Sequence, residues 1–148
     1  MHTALSQCQQ SHRSSGADAP GNSIVSQVVS RAAANSLADA IVDGSARLSY
    51  GDLDAKSSQL AAYLSSMGIG LESCVALLLD RSADFVVAAL AVLKTGGAYL
   101  PLDASMPTDR VKSILANSGA EVLVAHVYRG ASQAVAEVFP AVYTCTPN

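Results

Sequence analysis

The chain has 148 residues, a formal net charge of −3, 50% apolar residues and 14% charged residues. This length suffices for one domain with a sizeable core, and an acidic chain without basic runs argues against nucleic-acid binding. So few charges, where about 25% is ordinary, indicate either a small Ala- and Val-rich domain or a piece of a larger structure that covers an apolar face.

The first part of the chain divides into a polar lead-in and two short elements. Residues 1–22 are rich in Ser, Gln and Gly. They predict a disordered lead-in or a linker, so the folded domain is expected at 23–125.

Apolar residues at helical spacing predict a helix from Ser23, as its N-cap, to Asn35. Apolar runs at 38–42 and 46–48 around Asp43-Gly44 predict a small hairpin.

A second helix is expected to begin directly after the hairpin. Ser49 and Asp52 stand three residues apart in a capping-box pattern. Gly68 is expected to end this helix. Its apolar stripe comprises Leu53, Leu60, Leu64 and Met67.

The next unit is a strand followed by a helix. The continuous apolar run at 74–79 predicts a strand that is buried on both faces. Asp80 and Arg81 mark its exit and are interpreted as a solvated pair, on the side where a crevice could form. Ser82 is expected to cap a mostly buried helix over the apolar residues 85–93.

The segment from Lys94 to Asp103 links that helix to a short strand. Lys94 lies near the helix end, where it suits the negative pole of the helix dipole. Gly96 and Gly97 can take positive φ and end the helix. Residues 98–102 predict a strand, and Pro101, which has no N–H, must end it or place it at a sheet edge. Asp103 follows at the strand exit, where open α/β sheets place their ligand crevices.

Another helix and strand complete the pattern. Pro107 is expected as the first helical residue, and Asn117-Ser118-Gly119 as the helix end, with a buried-type strand at 121–125. The apolar face of this helix comprises Val111, Ile114 and Leu115. The order strand, helix, strand, helix, strand (βαβαβ) predicts an α/β fold with a parallel sheet, flanking helices and right-handed crossovers.

Residues 126–148 carry weaker patterns. They predict a helix at 131–138 and a strand near 141–143. His126 at the preceding strand exit could be a catalytic base, but it has no visible partner and is interpreted as a surface or packed histidine.

The cysteines and the apolar runs bear on the compartment. Cys8, Cys74 and Cys145 lack metal-ligand spacing, and Cys74 is interpreted as an inert buried thiol. No stretch approaches 18 apolar residues, and the N-terminus has no continuous apolar segment. We therefore expect no membrane span, no secretory signal and a cytoplasmic location.

Two segments carry a family resemblance. Leu93 to Asp103 resembles the Leu-Lys-Ala-Gly-x-Ala-Tyr-x-Pro-x-Asp segment of the amino-acid adenylation domains of nonribosomal peptide synthetases, with Thr95 in place of Ala. Leu48 to Leu53 resembles their Leu-(Thr/Ser)-Tyr-x-Glu-Leu segment, with Asp52 in place of Glu. The matching residues are Leu48, Ser49, Tyr50, Asp52, Leu53, Leu93, Lys94, Gly96, Gly97, Ala98, Tyr99, Pro101 and Asp103.

The resemblance covers residues 38–125 and implies the N-terminal portion of the large subdomain of an adenylate-forming ligase. Such ligases join a carboxylate to ATP with Mg²⁺, release pyrophosphate and pass the acyl group to a phosphopantetheine thiol on a carrier domain. Their phosphate cradle is a Ser/Thr/Gly-rich loop ending in Lys, their ribose is held by a later Asp, and their catalytic cation is a Lys near the far C-terminus. None of these segments occurs in the 148 residues.

The resemblance therefore implies a fragment that is inactive alone, ended by a truncated gene, a contig edge or a frameshift. We expect no catalytic, cofactor-binding or metal-binding residue in it, and we expect the matching residues to form scaffold. Lys94 is accordingly interpreted as a helix-end residue instead of a phosphate ligand. The expected partner is the remainder of the adenylation domain or synthetase, and poor solubility is expected when it is absent.

Two alternatives stay open. One is a non-catalytic module that docks onto another synthetase polypeptide, for which an uncovered apolar face is the motivation. The other is a fragment of an acyl- or aryl-CoA ligase, although the Gly-Gly-Ala-Tyr form of the second segment favours the amino-acid class.

Overall fold

The computed structural model describes residues 23–44, 46–103 and 105–126, together with the backbone of 142–145. The lead-in expected at 1–22 and the helix expected at 131–138 lie outside the described residues. Within the described part, no helix is long and apolar enough to cross a membrane.

The described elements follow the predicted order. The chain contains α1 (Ile24–Ala34), β1 (Asp39–Asp43), β2 (Ala46–Ser49), α2 (Tyr50–Ser66), β3 (Cys74–Leu78), α3 (Ala83–Thr95), β4 (Ala98–Leu102), α4 (Thr108–Ser118), β5 (Val122–His126) and β6 (Val142–Cys145). Strands β1 and β2 form the predicted antiparallel hairpin.

The main sheet has four parallel strands in the order β4-β3-β5-β6. Strand β3 is therefore central, and the chain runs from it to one side through α3 and then returns to the other side through α4. This arrangement confirms the predicted parallel sheet with flanking helices.

The two faces of the sheet pack against different helices. Val75 and Leu77 of β3 lie in one cluster with α2 and α3, whereas Ala76 and Leu78 lie in another with α4. The buried run of β3 is explained by these two layers, because a central parallel strand has no solvent-facing side. A smaller cluster joins the hairpin, α2 and α3 through Leu48, Leu53 and Leu90.

The outer edge of β4 carries the expected proline. The Ala98 N–H donates to the Ser73 carbonyl at 2.9 Å, so the backbone of Ala98 faces β3. Because backbone groups alternate sides along a strand, Tyr99 and Pro101 direct theirs away from β3. An N–H at position 101 would point away from β3, where the described residues provide no partner strand, so its absence costs no hydrogen bond. This confirms the predicted edge position of β4.

Glycines end the helices as expected, with one correction. Gly68, Gly96 and Gly119 have φ of 92°, 84° and 68°. Gly97 does not have positive φ. A Cβ there would lie 3.0 Å from the Ser73 carbonyl oxygen, so Gly97 permits close approach of two backbone segments.

Three sequence predictions at helix ends were wrong in detail. Met67 is 39% exposed and is the C-cap of α2, so the buried stripe stops at Leu64. Ser82 occupies the N-cap position of α3, but its side chain makes no capping bond and instead donates to the Asp80 carbonyl at 3.2 Å. Pro107 is the N-cap of α4 and not its first helical residue.

Candidate functional site

The first motif segment builds the start of α2. Ser49 is the N-cap, and its Oγ accepts from the Asp52 N–H at 3.1 Å. The same Oγ donates to Asp52 Oδ2 at 2.6 Å, so the carboxylate bonds the cap hydroxyl. Leu48 and Leu53 bury their side chains on either side of this cap. Ser49 and Asp52 therefore hold the hairpin–helix junction, which is a structural role.

Lys94 of the second motif segment bonds to a neighbouring helix. Its Nζ donates to Asp54 Oδ1 at 2.6 Å, to the Asp54 carbonyl at 3.0 Å and to Ser58 Oγ at 2.7 Å. The Lys94 side chain is only 10% exposed. Lys94 does lie at the end of α3, but the account based on the helix dipole alone was incomplete, because its ammonium group joins α3 to α2. All three of its donor positions have partners.

The rest of the second segment shapes the edge of the sheet. Gly96 and Gly97 make the turn into β4, and Tyr99 places its ring edge-on to Phe85 of α3, with centroids 6.3 Å apart at 90°. Tyr99 is nevertheless 38% exposed. The segment thus fixes β4 against α3 and leaves an aromatic ring at the surface.

A cavity of about 630 Å³ opens at the carboxyl ends of β3 and β4. This is the edge at which open α/β sheets place ligand crevices, and it brings together the residues predicted at the two strand exits. Its walls are apolar with three charged groups at the mouth. The lining residues are Leu79, Asp80, Arg81, Phe85, Pro101, Leu102, Asp103 and Met106.

Asp103 accepts a backbone hydrogen bond at this mouth. The Ser105 backbone N–H donates to Asp103 Oδ1 at 2.8 Å. This bond, then the Ser105 hydroxyl and the nearby Arg81 charge, lower the pKa of the Asp103 carboxyl. Because the pKa is lower in the folded state, ionised Asp103 stabilises the fold at pH values above its unfolded-state pKa. This stabilisation is lost as the pH falls through the folded-state pKa.

His126 has a partner, contrary to the sequence interpretation. Its Nε2 lies 3.3 Å from Asp84 Oδ2, in the first turn of α3. The imidazole is 16% exposed and the carboxylate 30%. The pair joins the end of β5 to the start of α3, beside the central strand. Sequence reasoning missed it because the two residues are 42 positions apart and only the crossover brings them together.

Cys74 is partly exposed, so the prediction of a buried thiol was wrong in degree. Burial, and secondarily the Glu121 carboxylate, raise the pKa of this thiol. Because the thiolate is the reactive form, a raised pKa supports the interpretation of an inert residue.

The charged groups of the cavity at β3 and β4 are two carboxylates and one guanidinium. The carboxylates belong to Asp80 and Asp103 and the guanidinium to Arg81, whereas Asp84 lies beside His126. Within the described residues, no group of three His, Cys, Asp or Glu side chains could hold a metal ion.

Comparison with known proteins places this geometry in a family. The model of the family described as AMP-binding enzyme matches residues 29–146. Tyrocidine synthase 2 of Brevibacillus parabrevis is 43% identical over 89 residues, which cover 60% of this chain and 2% of that protein. Bacitracin synthase 3 of Bacillus licheniformis is 43% identical over 86 residues, 58% of this chain and 1% of that protein. The chain thus spans a very small part of these curated relatives.

Solved structures share the fold. VinN in complex with L-aspartate superposes with a TM-score of 0.75 at 19% identity, over 84% of this chain and 32% of that chain. The nonribosomal peptide synthetase FmoA3 bound to α-methyl-L-serine-AMP superposes with a TM-score of 0.68 at 23% identity, over 82% of this chain and 13% of that chain. The chain therefore belongs to the AMP-binding enzyme family and is similar to the N-terminal part of the amino-acid adenylation domains of nonribosomal peptide synthetases.

Proposed function

We propose that this chain is a scaffold portion of an ATP-dependent, aminoacyl-adenylate-forming ligase of nonribosomal peptide biosynthesis, and that the 148 residues do not activate an amino acid alone. The observation that carries the proposal is the set of hydrogen bonds that Lys94 donates to α2. Lys94 is the one cation of the second motif segment, and Asp54 and Ser58 take all three of its hydrogen bonds. A phosphate would have to displace these partners from a nearly buried position.

The absence of a phosphate cradle from the sequence supports the same conclusion. Acyl-adenylate formation needs donors and cations around the developing charge on phosphorus. The 148 residues contain no Ser/Thr/Gly-rich loop ending in Lys, and the charged residues that line the crevice at β3 and β4 are two aspartates and one arginine. We infer that Mg²⁺-ATP and the phosphopantetheine thiol of a carrier domain are held by other parts of a complete synthetase, acting in the cytoplasm.

The amino-acid class is favoured over the CoA-ligase class. Tyrocidine synthase 2, bacitracin synthase 3 and several other peptide synthases match at 42–49% identity. The O-succinylbenzoate coenzyme A synthetase of Bacillus subtilis superposes with a TM-score of 0.69 at 19% identity, which supports the common fold alone.

The first experiment tests the isolated chain. We expect no amino-acid-dependent ATP–pyrophosphate exchange and no Mg²⁺-ATP binding at micromolar concentration by calorimetry. Clear exchange, or micromolar affinity that depends on magnesium, would refute the claim that this part is only scaffold.

A second experiment tests the ligase assignment. Residues 29–146 replace the matching segment of an adenylation domain in tyrocidine synthase 2, and we expect exchange activity to survive. In this chimera Lys94→Met and Asp54→Asn should both leave the KM for ATP unchanged. A rise in KM with Lys94→Met alone would show that Lys94 contacts the nucleotide.

A further inference from the structure

Two neighbouring grooves share a common wall on one side of the molecule. The cavity at β3 and β4 is one of them. The second, of about 300 Å³, lies between β1 and the start of α3. Arg81 and Phe85 line both grooves, so the two form one continuous surface. We call this the Phe85 surface; its other members used below are Val42, Val86, Tyr99, Asp43, Asp80 and Asp103.

Apolar side chains project from the Phe85 surface. Val42 and Val86 line the second groove and are 57% and 40% exposed. Tyr99 packs edge-on against Phe85 and is 38% exposed. Val42 of β1 and Val86 of α3 therefore project from one groove, and Tyr99 of β4 extends the apolar surface through its contact with Phe85. A patch of this kind, with charged residues at its rim, is typical of a surface that contacts another polypeptide.

The charges at the rim indicate what that polypeptide carries. Asp80 and Asp103 lie at the first groove and Asp43 at the second, and Arg81 between them is the one cation among the lining residues. Arg81 has no carboxylate within 4.0 Å among the described residues, although its charge acts on Asp103. A complementary partner therefore presents cationic side chains around an apolar one.

The outer edge of β4 disfavours binding by addition of a partner strand to the sheet. A partner strand added there would find no N–H at Pro101, so a backbone ladder along this edge would be interrupted and weakened. The side chains beside the edge are left to make the contact.

We propose that the Phe85 surface is where the remainder of the adenylation domain docks, through a segment that inserts an apolar side chain between Val42 and Val86 and places Lys or Arg against Asp43, Asp80 and Asp103. This inference rests on the proposed function and adds the contact surface and the chemistry of the partner. It commits to a polypeptide of the same domain, because the chain covers only 32% of the VinN chain that shares its fold, so most of such a chain lies outside these residues and needs a contact surface on them.

The test uses the full 148-residue chain, tagged and co-expressed with the same tyrocidine synthase 2 adenylation domain, from which the segment matching residues 29–146 has been removed. We expect the two polypeptides to co-purify. Val86→Asp should reduce the yield of complex about tenfold or more, as for a central interface residue, and Asp103→Lys should reduce the yield because it repels the cationic partner at the rim. Leu71→Asp is the matched control, since Leu71 is 83% exposed and lies outside the Phe85 surface, and it should retain the complex.

The outcomes separate the two proposals. Absence of a complex with the unsubstituted chain, or equal losses with Leu71→Asp and Val86→Asp, would overturn the docking surface. Self-association of the chain in sizing that Val86→Asp abolishes would assign the surface to a second copy and would also overturn it. Thermal unfolding of each variant shows whether it folds. Loss of exchange activity in the chimera would refute the ligase assignment, whatever happens at this surface.

Discussion

Replacement of Lys94 by Met tests whether the second motif segment is scaffold. Met keeps the apolar stem of the side chain in place and removes the ammonium group. The three hydrogen bonds to Asp54 and Ser58 are then lost from a group that is 10% exposed. The substitution therefore distinguishes a stabilising contact between Lys94 and α2 from a helix-dipole interaction at the end of α3.

The expected loss of stability can be estimated from the hydrogen-bond partners of Lys94 and from their exposure to water. A hydrogen bond to a charged group contributes about 1.5–3 kcal/mol, and breaking a buried ion pair costs about 3–5 kcal/mol. The Asp54 side chain is 32% exposed, so water can solvate its carboxylate after the substitution and reduce the loss. We expect about 2 kcal/mol, whereas a helix-dipole interaction alone contributes about 0.3–1 kcal/mol. For a domain of this size, that loss lowers the Tm by about 10 °C.

Urea unfolding followed by circular dichroism measures this difference. Lys56→Met, an exposed lysine on α2, is the control and should change the free energy of unfolding by less than about 0.5 kcal/mol. A double-mutant cycle with Asp54→Asn should give a coupling energy of about 1 kcal/mol. If Lys94→Met costs no more than the control, the bonds to α2 contribute nothing and the scaffold account of Lys94 is wrong.

Three further predictions concern single positions. Gly97→Ala should cost about 1–3 kcal/mol, because its Cβ would meet backbone 3.0 Å away, whereas Gly70→Ala has open space and should be neutral in the same urea assay. Ser49→Ala should cost about 1 kcal/mol and Ser82→Ala almost nothing, since only Ser49 makes a capping bond; equal costs would contradict this account. The pKa of Asp103, followed by carboxyl ¹³C NMR, should lie below 3.8, and a value at or above it would contradict the bond geometry.

Features that depend on near neighbours in the chain were predictable from the sequence. The Ser49 cap involves residues three apart, and the glycine at the end of α3 needs only its own φ. The edge position of β4 followed from the missing N–H of Pro101. The convergence of Asp80 and Asp103 at one cavity followed from the rule that parallel strands end at the same sheet edge.

Features that depend on packing between distant elements were not predictable. Lys94 and Asp54 are 40 residues apart, and their contact depends on how α3 lies against α2. Asp84 and His126 meet only because the crossover through α4 brings β5 beside β3. The exposure of Met67 depends on where the helix stops relative to the sheet, and a periodic stripe does not contain that information.

The proline at the outer edge of β4 has a consequence for how such a domain can be assembled. Because one hydrogen-bond donor is missing there, a strand added beside β4 would form a ladder that is interrupted at Pro101. This flank of the sheet is therefore better suited to contacts through side chains than to contacts through the backbone.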